Sequence, residues 1–270
     1  MNHARGDGPN LFHRVDGAAG APWLVLSNSL ASDHTMWDPQ MPLLTQRFRV
    51  LRYDTRGHGQ SDAPPGPYSF AMLVEDVLRL MDRHGIGRAT FMGLSLGGMT
   101  GLGLAIHHPD RVERFVCCGA RADAPESYAG AWRDRLALVE REGMRAVLQT
   151  TVERWLAPSF RAARPDVVGR IERMILSTSL TGYRGCVEAL KGLSYGADLP
   201  RIEAPTLFVV GAEDTGTPPD AMRAMADRVP GARLAIIPDG AHLPNLDNSA
   251  AFNAAVVGFL GLPGGEPASA

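Results

Sequence analysis

Gly93-Leu94-Ser95-Leu96-Gly97 sets a serine between two glycines in a Gly-x-Ser-x-Gly pattern. A short apolar run, 89–92, leads into it. A helix-compatible run of small residues, 99–106, follows before Pro109. Strand, tight turn and helix form the setting in which this pattern exposes a nucleophile. Ser95 must sit on a sharp, strained turn for its Oγ to project clear of the backbone. Side chains at Gly93 and Gly97 would collide with the strand and helix that meet there. Helix entry also aims the Leu96 N–H at a developing oxyanion. The plainer alternative is a glycine-rich turn with an ordinary capping serine.

A serine hydroxyl is a poor nucleophile at neutral pH, so it needs a base, and the base needs an orienting group. Gly211-Ala212-Glu213-Asp214 follows an apolar run at 206–210, and Asp239-Gly240-Ala241-His242 follows another at 233–237. Both runs read as strands, which puts Asp214 and His242 at strand carboxyl ends. His242 would take the Ser95 proton, and Asp214 would hold the imidazole tautomer. Glu213 is the competing acid and Asp239 a weaker one. Taken singly, the loop histidine reads as exposed and Asp214 as a turn residue; three pieces falling in order argue against that. A second oxyanion donor should come from the loop after the strand at 23–26. The candidate is the Leu30 N–H, with Ser29 as the alternative.

The positioning elements follow from hydrophobic periodicity. Residues 11–15 alternate like a strand, 23–26 and 49–53 are short apolar runs, and 112–118 is a further strand. Ser69 reads as an N-cap. Phe70, Leu73, Val74, Val77, Leu78 and Met81 follow it at helical spacing, with Gly85 as a stop. From Arg121 to about Ala197 strand-like runs vanish. Helical patterns occupy 132–141, 144–156, 166–179 and 183–192, punctuated at Ala157-Pro158 and Leu180-Thr181-Gly182. About 75 residues is well beyond an ordinary connecting loop. Strand–helix rhythm then resumes, with helices at 218–228 and from about 247 to 260, and a frayed tail from Pro263. The expected class is α/β: a mostly parallel central sheet with helices on both faces and a helical cap insertion. The core would be 1–120 and 198–270, and the cap 121–197.

The chain has 270 residues, 45% hydrophobic and 21% charged, so it can bury a large core. A net charge of -2 gives no reason to expect nucleic acid or an anionic membrane. Lys191 is the only lysine, with no motif around it for Schiff-base chemistry. Cys117, Cys118 and Cys186 read as buried reduced thiols. The polar start, 1–10, has no apolar core of a signal peptide, and no run is long enough to span a bilayer, so the cytoplasm is expected. No metal motif and no P-loop is present, and no metal or cofactor is expected. His107 and His108 are adjacent and cannot share a helix face; they read as surface residues near a helix end.

The whole chain resembles the α/β-hydrolases, whose triad runs in the order Ser95, Asp214, His242. More narrowly, it resembles the 3-oxoadipate enol-lactonases. The segments that carry this are Val25-Leu26-Ser27-Asn28-Ser29-Leu30, Met36-Trp37-Asp38-Pro39-Gln40, and Phe48-Arg49-Val50-Leu51-Arg52-Tyr53-Asp54-Thr55-Arg56-Gly57-His58-Gly59. The serine elbow, 93–97, and Glu153-Arg154-Trp155 add to them. The sequence departs from that pattern after Cys118, where it reads Gly119-Ala120-Arg121-Ala122-Asp123. The resemblance implies a cofactor-independent serine hydrolase that opens a small lactone bearing a carboxylate, through an acyl-enzyme on Ser95. A carboxylesterase or carbon–carbon hydrolase with the same triad is the alternative, and a hydrolase-derived ligand receptor a more distant one. A carboxylate would want an Arg fork. Arg154 beside Trp155 is the first candidate contact, with Trp132 and Arg133 next; Arg121 also falls in the cap. The alternative is a solvated face for the arginines and packing for the tryptophans. A small-molecule lactone or ester is the expected partner, and a homodimer stays open beside a monomer.

Overall fold

The computed structural model describes residues 8–262. Most of the polar start at 1–10 and all of the tail at 263–270 lie outside the described residues. Among the described residues, seven strands form one sheet: β1 (His13–Asp16), β2 (Trp23–Ser27), β3 (Arg49–Tyr53), β4 (Ala89–Leu94), β5 (Val112–Cys118), β6 (Thr206–Gly211) and β7 (Arg233–Ile237). Their order is β1-β3-β2-β4-β5-β6-β7. Only β1 runs antiparallel to its neighbour. β4 and β6 are buried at every position. That is the condition of a parallel strand covered on both faces, and it is why these stretches read as continuous apolar runs.

Helix α1 (Met41–Leu44) follows a 3-10 stretch, His34–Gln40, between β2 and β3. α2 (Phe70–Arg83) precedes β4, and α3 (Leu96–His107) joins β4 to β5. Ser69 caps α2 by accepting from Met72 N. The crossover from β2 to β3 moves one way along the sheet. Those from β3 to β4 and from β4 to β5 move the other way. Right-handed connections therefore put α1 on one face and α2 and α3 on the opposite face. The reversal falls between β2 and β4, so the loops that leave their carboxyl ends open a crevice there.

Between β5 and β6 the chain forms α4 (Glu126–Glu142), a 3-10 turn at Met144–Val147, α5 (Leu148–Trp155), α6 (Pro158–Ala163), α7 (Pro165–Ser177) and α8 (Leu180–Lys191). The expected break at 180–182 is instead the first turn of α8. Ser179 caps it by accepting from Gly182 N. Gly182 is small for a tertiary reason: a Cβ on it would run into the backbone of Gly57, and one on Gly57 into Gly182. Ser179 N and Oγ both donate to Gly57 O. Gly182→Ala tests this seat. Gly→Ala in a helix ordinarily gains about 0.5–1 kcal/mol. Here overpacking should reverse the sign and cost about 1–3 kcal/mol. Thermal unfolding reads it; a raised Tm would show that the two backbones do not abut.

After β6, α9 (Pro219–Ala226) leads to β7. The final helix expected from about 247 to 260 is α11 (Ser249–Leu260), and a separate short helix, α10 (Pro244–Asp247), precedes it. Asn248 breaks the run, because its side chain caps α11 by accepting from Ala251 N.

Candidate active site

Ser95 stands between β4 and α3 with φ 56 and ψ −113, a left-handed conformation that a side chain adopts only under constraint. Cβ atoms on Gly93 or Gly97 would strike the Gly97–Gly98 backbone and Ser27 respectively. The turn is held by Ser95 N donating to Cys118 O (2.8 Å) and Gly97 N donating to Asn28 O (2.9 Å). Leu96 is the first residue of α3, where N–H groups have no partner inside the helix.

Asn28 does more than the sequence suggests. Its Nδ2 donates to Tyr53 O (2.6 Å), and its Oδ1 accepts from Trp37 Nε1 (3.1 Å). One buried side chain thus ties the loop after β2 to β3 and to the 3-10 stretch, while its carbonyl holds the serine turn. Of the two N–H groups considered in this loop, that of Ser29 is taken by Met36 Sδ (3.4 Å). Leu30 lines the cavity beside Ser95, and Ala31 follows it at φ 62.

His242 Nδ1 lies 2.8 Å from Asp214 Oδ2. A carboxylate only accepts, so Nδ1 carries the proton and Nε2 is left as an acceptor. Asp214 is buried and its remaining lone pairs are filled. Thr217 Oγ1 donates to Oδ2 (2.6 Å), while Gly216 N (2.8 Å) and Thr217 N (3.0 Å) donate to Oδ1. Burial alone would raise its pKa. The His242 charge and the hydrogen bonds from His242 and Thr217 outweigh that and hold the carboxyl below its usual range. Glu213 and Asp239, the competing acids, are exposed.

Ser95 and His242 line one cavity, roofed by the helices between β5 and β6. Trp132, Arg154 and Trp155 line it too. Arg154 is partly exposed as a residue, but its Nε is sealed from solvent and has no hydrogen-bond partner; neither has Trp155 Nε1. The Arg154 guanidinium sits over the Trp132 ring at 5.7 Å. Burial, and next the charge of Arg135, holds its pKa below the usual guanidinium range.

Arg133 is a correction. It is exposed, pairs with Glu126 along α4, and does not line the cavity. The residue on the cavity face is Arg135, three positions after Trp132. Residues three apart share a helix face, so helical spacing from Trp132 was the available signal. Arg135 donates from Nε to Tyr183 OH (3.0 Å) and from NH2 to Val147 O (3.2 Å) and Thr151 Oγ1. Among the described residues, neither Arg135 nor Arg154 has an acidic partner. Arg121 lies outside the lining, stacked at 4.9 Å on Tyr128, with Nε donating to Gly216 O.

Among the described residues, Asp33, His34 and Asp54 have the spacing of metal ligands. Their lone pairs are engaged in the loop itself: Asp54 accepts from His34 Nδ1, His34 N and Gln60 N, and Asp33 from Thr35 N and Oγ1. The three cysteines are free and buried, and burial pushes their thiols well above the usual range, that of Cys186 to about 12.

Comparison with known proteins places these features in a wider set. Residues 22–249 match the family described as alpha/beta hydrolase fold. The chain is 36% identical to 3-oxoadipate enol-lactonase 2 of Acinetobacter baylyi, over 91% of each chain. Among solved structures it is similar to the enol-lactonase from Burkholderia xenovorans, at 40% identity and a TM-score of 0.90, covering 94% of this chain and 98% of that one. It is also similar to a hydrolase from Pseudomonas aeruginosa, at 43% identity and a TM-score of 0.91, covering 96% and 97%.

Proposed function

The chain belongs to the α/β-hydrolase family, and from that premise we propose that it opens a small enol-lactone bearing a free carboxylate, 3-oxoadipate enol-lactone first among them. The observation that carries the reading is the pair Arg135 and Arg154. Among the described residues neither guanidinium at this cavity is in a salt bridge, and the nearby Asp214 charge felt by Arg154 is already bonded to His242; buried charges ordinarily have partners of their own. A substrate carboxylate supplies the missing charge.

In this reading Ser95 Oγ attacks the ring carbonyl as His242 Nε2 removes its proton. The oxyanion is held by the N–H groups of Leu30 and Leu96. Collapse breaks the ring C–O bond, and His242 returns the proton to the departing enol oxygen. Water then attacks the Ser95 ester with His242 as base, which frees the second carboxylate and restores the serine. Asp214 stays ionised throughout and holds the imidazole by Nδ1. Residues 121–197 act as the cap that shapes the substrate pocket, and the free thiols support a reducing, cytoplasmic setting. Among the described residues no helix is long and apolar enough to cross a membrane.

The test is turnover of 3-oxoadipate enol-lactone beside a short p-nitrophenyl ester. Fast loss of the lactone with weak ester cleavage is expected; ester cleavage without lactone turnover would discard the substrate. Arg154→Met separates the carboxylate from the chemistry. Loss of a hydrogen bond to a charged group is worth about 1.5–3 kcal/mol, so KM for the lactone should rise about ten- to a hundredfold. Cleavage of the neutral ester should stay within a few-fold. Equal damage to both substrates would show that Arg154 does not read the carboxylate.

A further inference from the structure

The His242 loop is fastened to the cap on both sides of the histidine. Leu243 N donates to Trp155 O (2.9 Å). Ala241 N donates to Asp247 Oδ2 (2.7 Å), and the other oxygen of the same carboxylate accepts from Ala157 N (3.1 Å). Asp247 thus bridges two backbones that Leu243 also links: the residue before His242, and the chain two residues beyond the cavity-lining Trp155. Burial works against this carboxylate and pushes its pKa up to about 7, with Glu213 opposing ionisation and the two N–H groups and Arg161 favouring it. A half-buried acid kept at such a junction is costly, and its two bonds are what it does there.

We propose that Asp247 is a positioning residue that couples the cap wall at 155–157 to the placement of the His242 ring, so that seating of the cap sets the alignment of the base. This rests on the reading of His242 as the general base. Misplacement of a catalytic group by about 1 Å can cost about a hundredfold, so losing half the bridge should be visible in the rate.

Asp247→Asn keeps the shape but turns an NH2 toward one of the two donors. Ala157→Pro deletes the cap-side N–H and sets a ring carbon against Asp247 Oδ1 in its place, so it breaks the cap half of the bridge, and the backbone angles accept it. Ala157 has φ −58 and ψ 145, and Leu156 before it has φ −125 and ψ 132, both compatible with proline. Each variant is assayed on p-nitrophenyl acetate, which has no carboxylate, and on 3-oxoadipate enol-lactone, with Tm recorded. Asp247→Asn should lower kcat about ten- to a hundredfold and raise KM for the lactone, and Asp247→Glu should recover part of both. Ala157→Pro should lower kcat about tenfold although it touches nothing next to His242. If Ala157→Pro leaves kcat unchanged while Asp247→Asn lowers it, the carboxylate serves the loop alone and the coupling is wrong. If Asp247→Asn shifts Tm but neither kcat nor KM, the role is structural and the proposal fails. Should Asp247→Asn not fold, Ala157→Pro decides alone. His242→Ala in the same series keeps the two readings apart, because wild-type turnover in that variant would sink the triad and not merely the bridge.

Discussion

Ser95→Ala should reduce kcat on the lactone and on simple esters by about a hundred thousand- to a millionfold while the protein folds normally. The size follows from the way triad members act as a unit: once the nucleophile is gone, only binding and oxyanion stabilisation remain. Single-turnover assays with an active-site titrant on the purified variant check it, and activity within tenfold of wild type would show that another group attacks. The backbone adds a second measurement. At φ 56 and ψ −113, alanine inherits the strain of the turn, so Ser95→Ala should leave stability nearly unchanged. Glycine tolerates that conformation, so Ser95→Gly should be as inactive but more stable by about 1 kcal/mol. An inactive variant that gains stability is the signature of a turn whose conformation is kept for chemistry.

Asp214→Asn should lower kcat about ten thousandfold. The carboxylate accepts at four points, from His242, Thr217 twice and Gly216. An amide offers one oxygen. If that oxygen stays on the backbone N–H groups, the NH2 faces Nδ1 of His242, stabilises the wrong tautomer and puts the proton where Ser95 needs an acceptor. Glu213→Gln should change the rate less than twofold, because Glu213 is exposed. The reverse ranking would move the acid to Glu213. Stability should respond as well. The folded pKa of Asp214 is held below its unfolded value, so its contribution is fully present above the ordinary carboxyl range and is lost as pH falls. Acid unfolding of Asp214→Asn should therefore lack that share of the pH dependence.

The sheet and the serine turn were legible because each leaves a local mark. The parallel strands are short, mainly apolar runs, and 112–118 and 233–237 coincide with β5 and β7. The elbow glycines mark themselves through the backbones they must admit. What sequence could not show is what depends on distant partners. Gly182 reads as a turn until Gly57 is seen against it. Arg133 and Arg135 are equally basic, and only the helix phase set by Trp132 tells the cavity face from the solvent face. Asn28 reads as one more polar loop residue after a strand, but its carbonyl and side chain tie together the elbow, β3 and Trp37. Asp247 reads as an ordinary helix-end acid, since its two donors lie in different parts of the chain.

The way the chain enters and leaves the helical segment has a consequence for how substrate range can change. Tyr195 N donates to Ala122 O and Ala124 N to Leu193 O, with Asp123 opposite Ser194 between them. Outgoing and returning strands are thus buttoned together at one point, and every pairing of the seven-stranded sheet lies outside residues 125–192. The loop is already closed at its base, so its length and contents can vary at small entropic cost to the layer beneath. Exchange of 125–192 as a cassette, with residues 122–124 and 193–195 retained, would carry a new binding wall onto an unaltered sheet and serine turn. The graft must bring its own counterparts to Trp155, Ala157, Ser179, Gly182 and Gly185, points at which this segment grips the rest of the molecule.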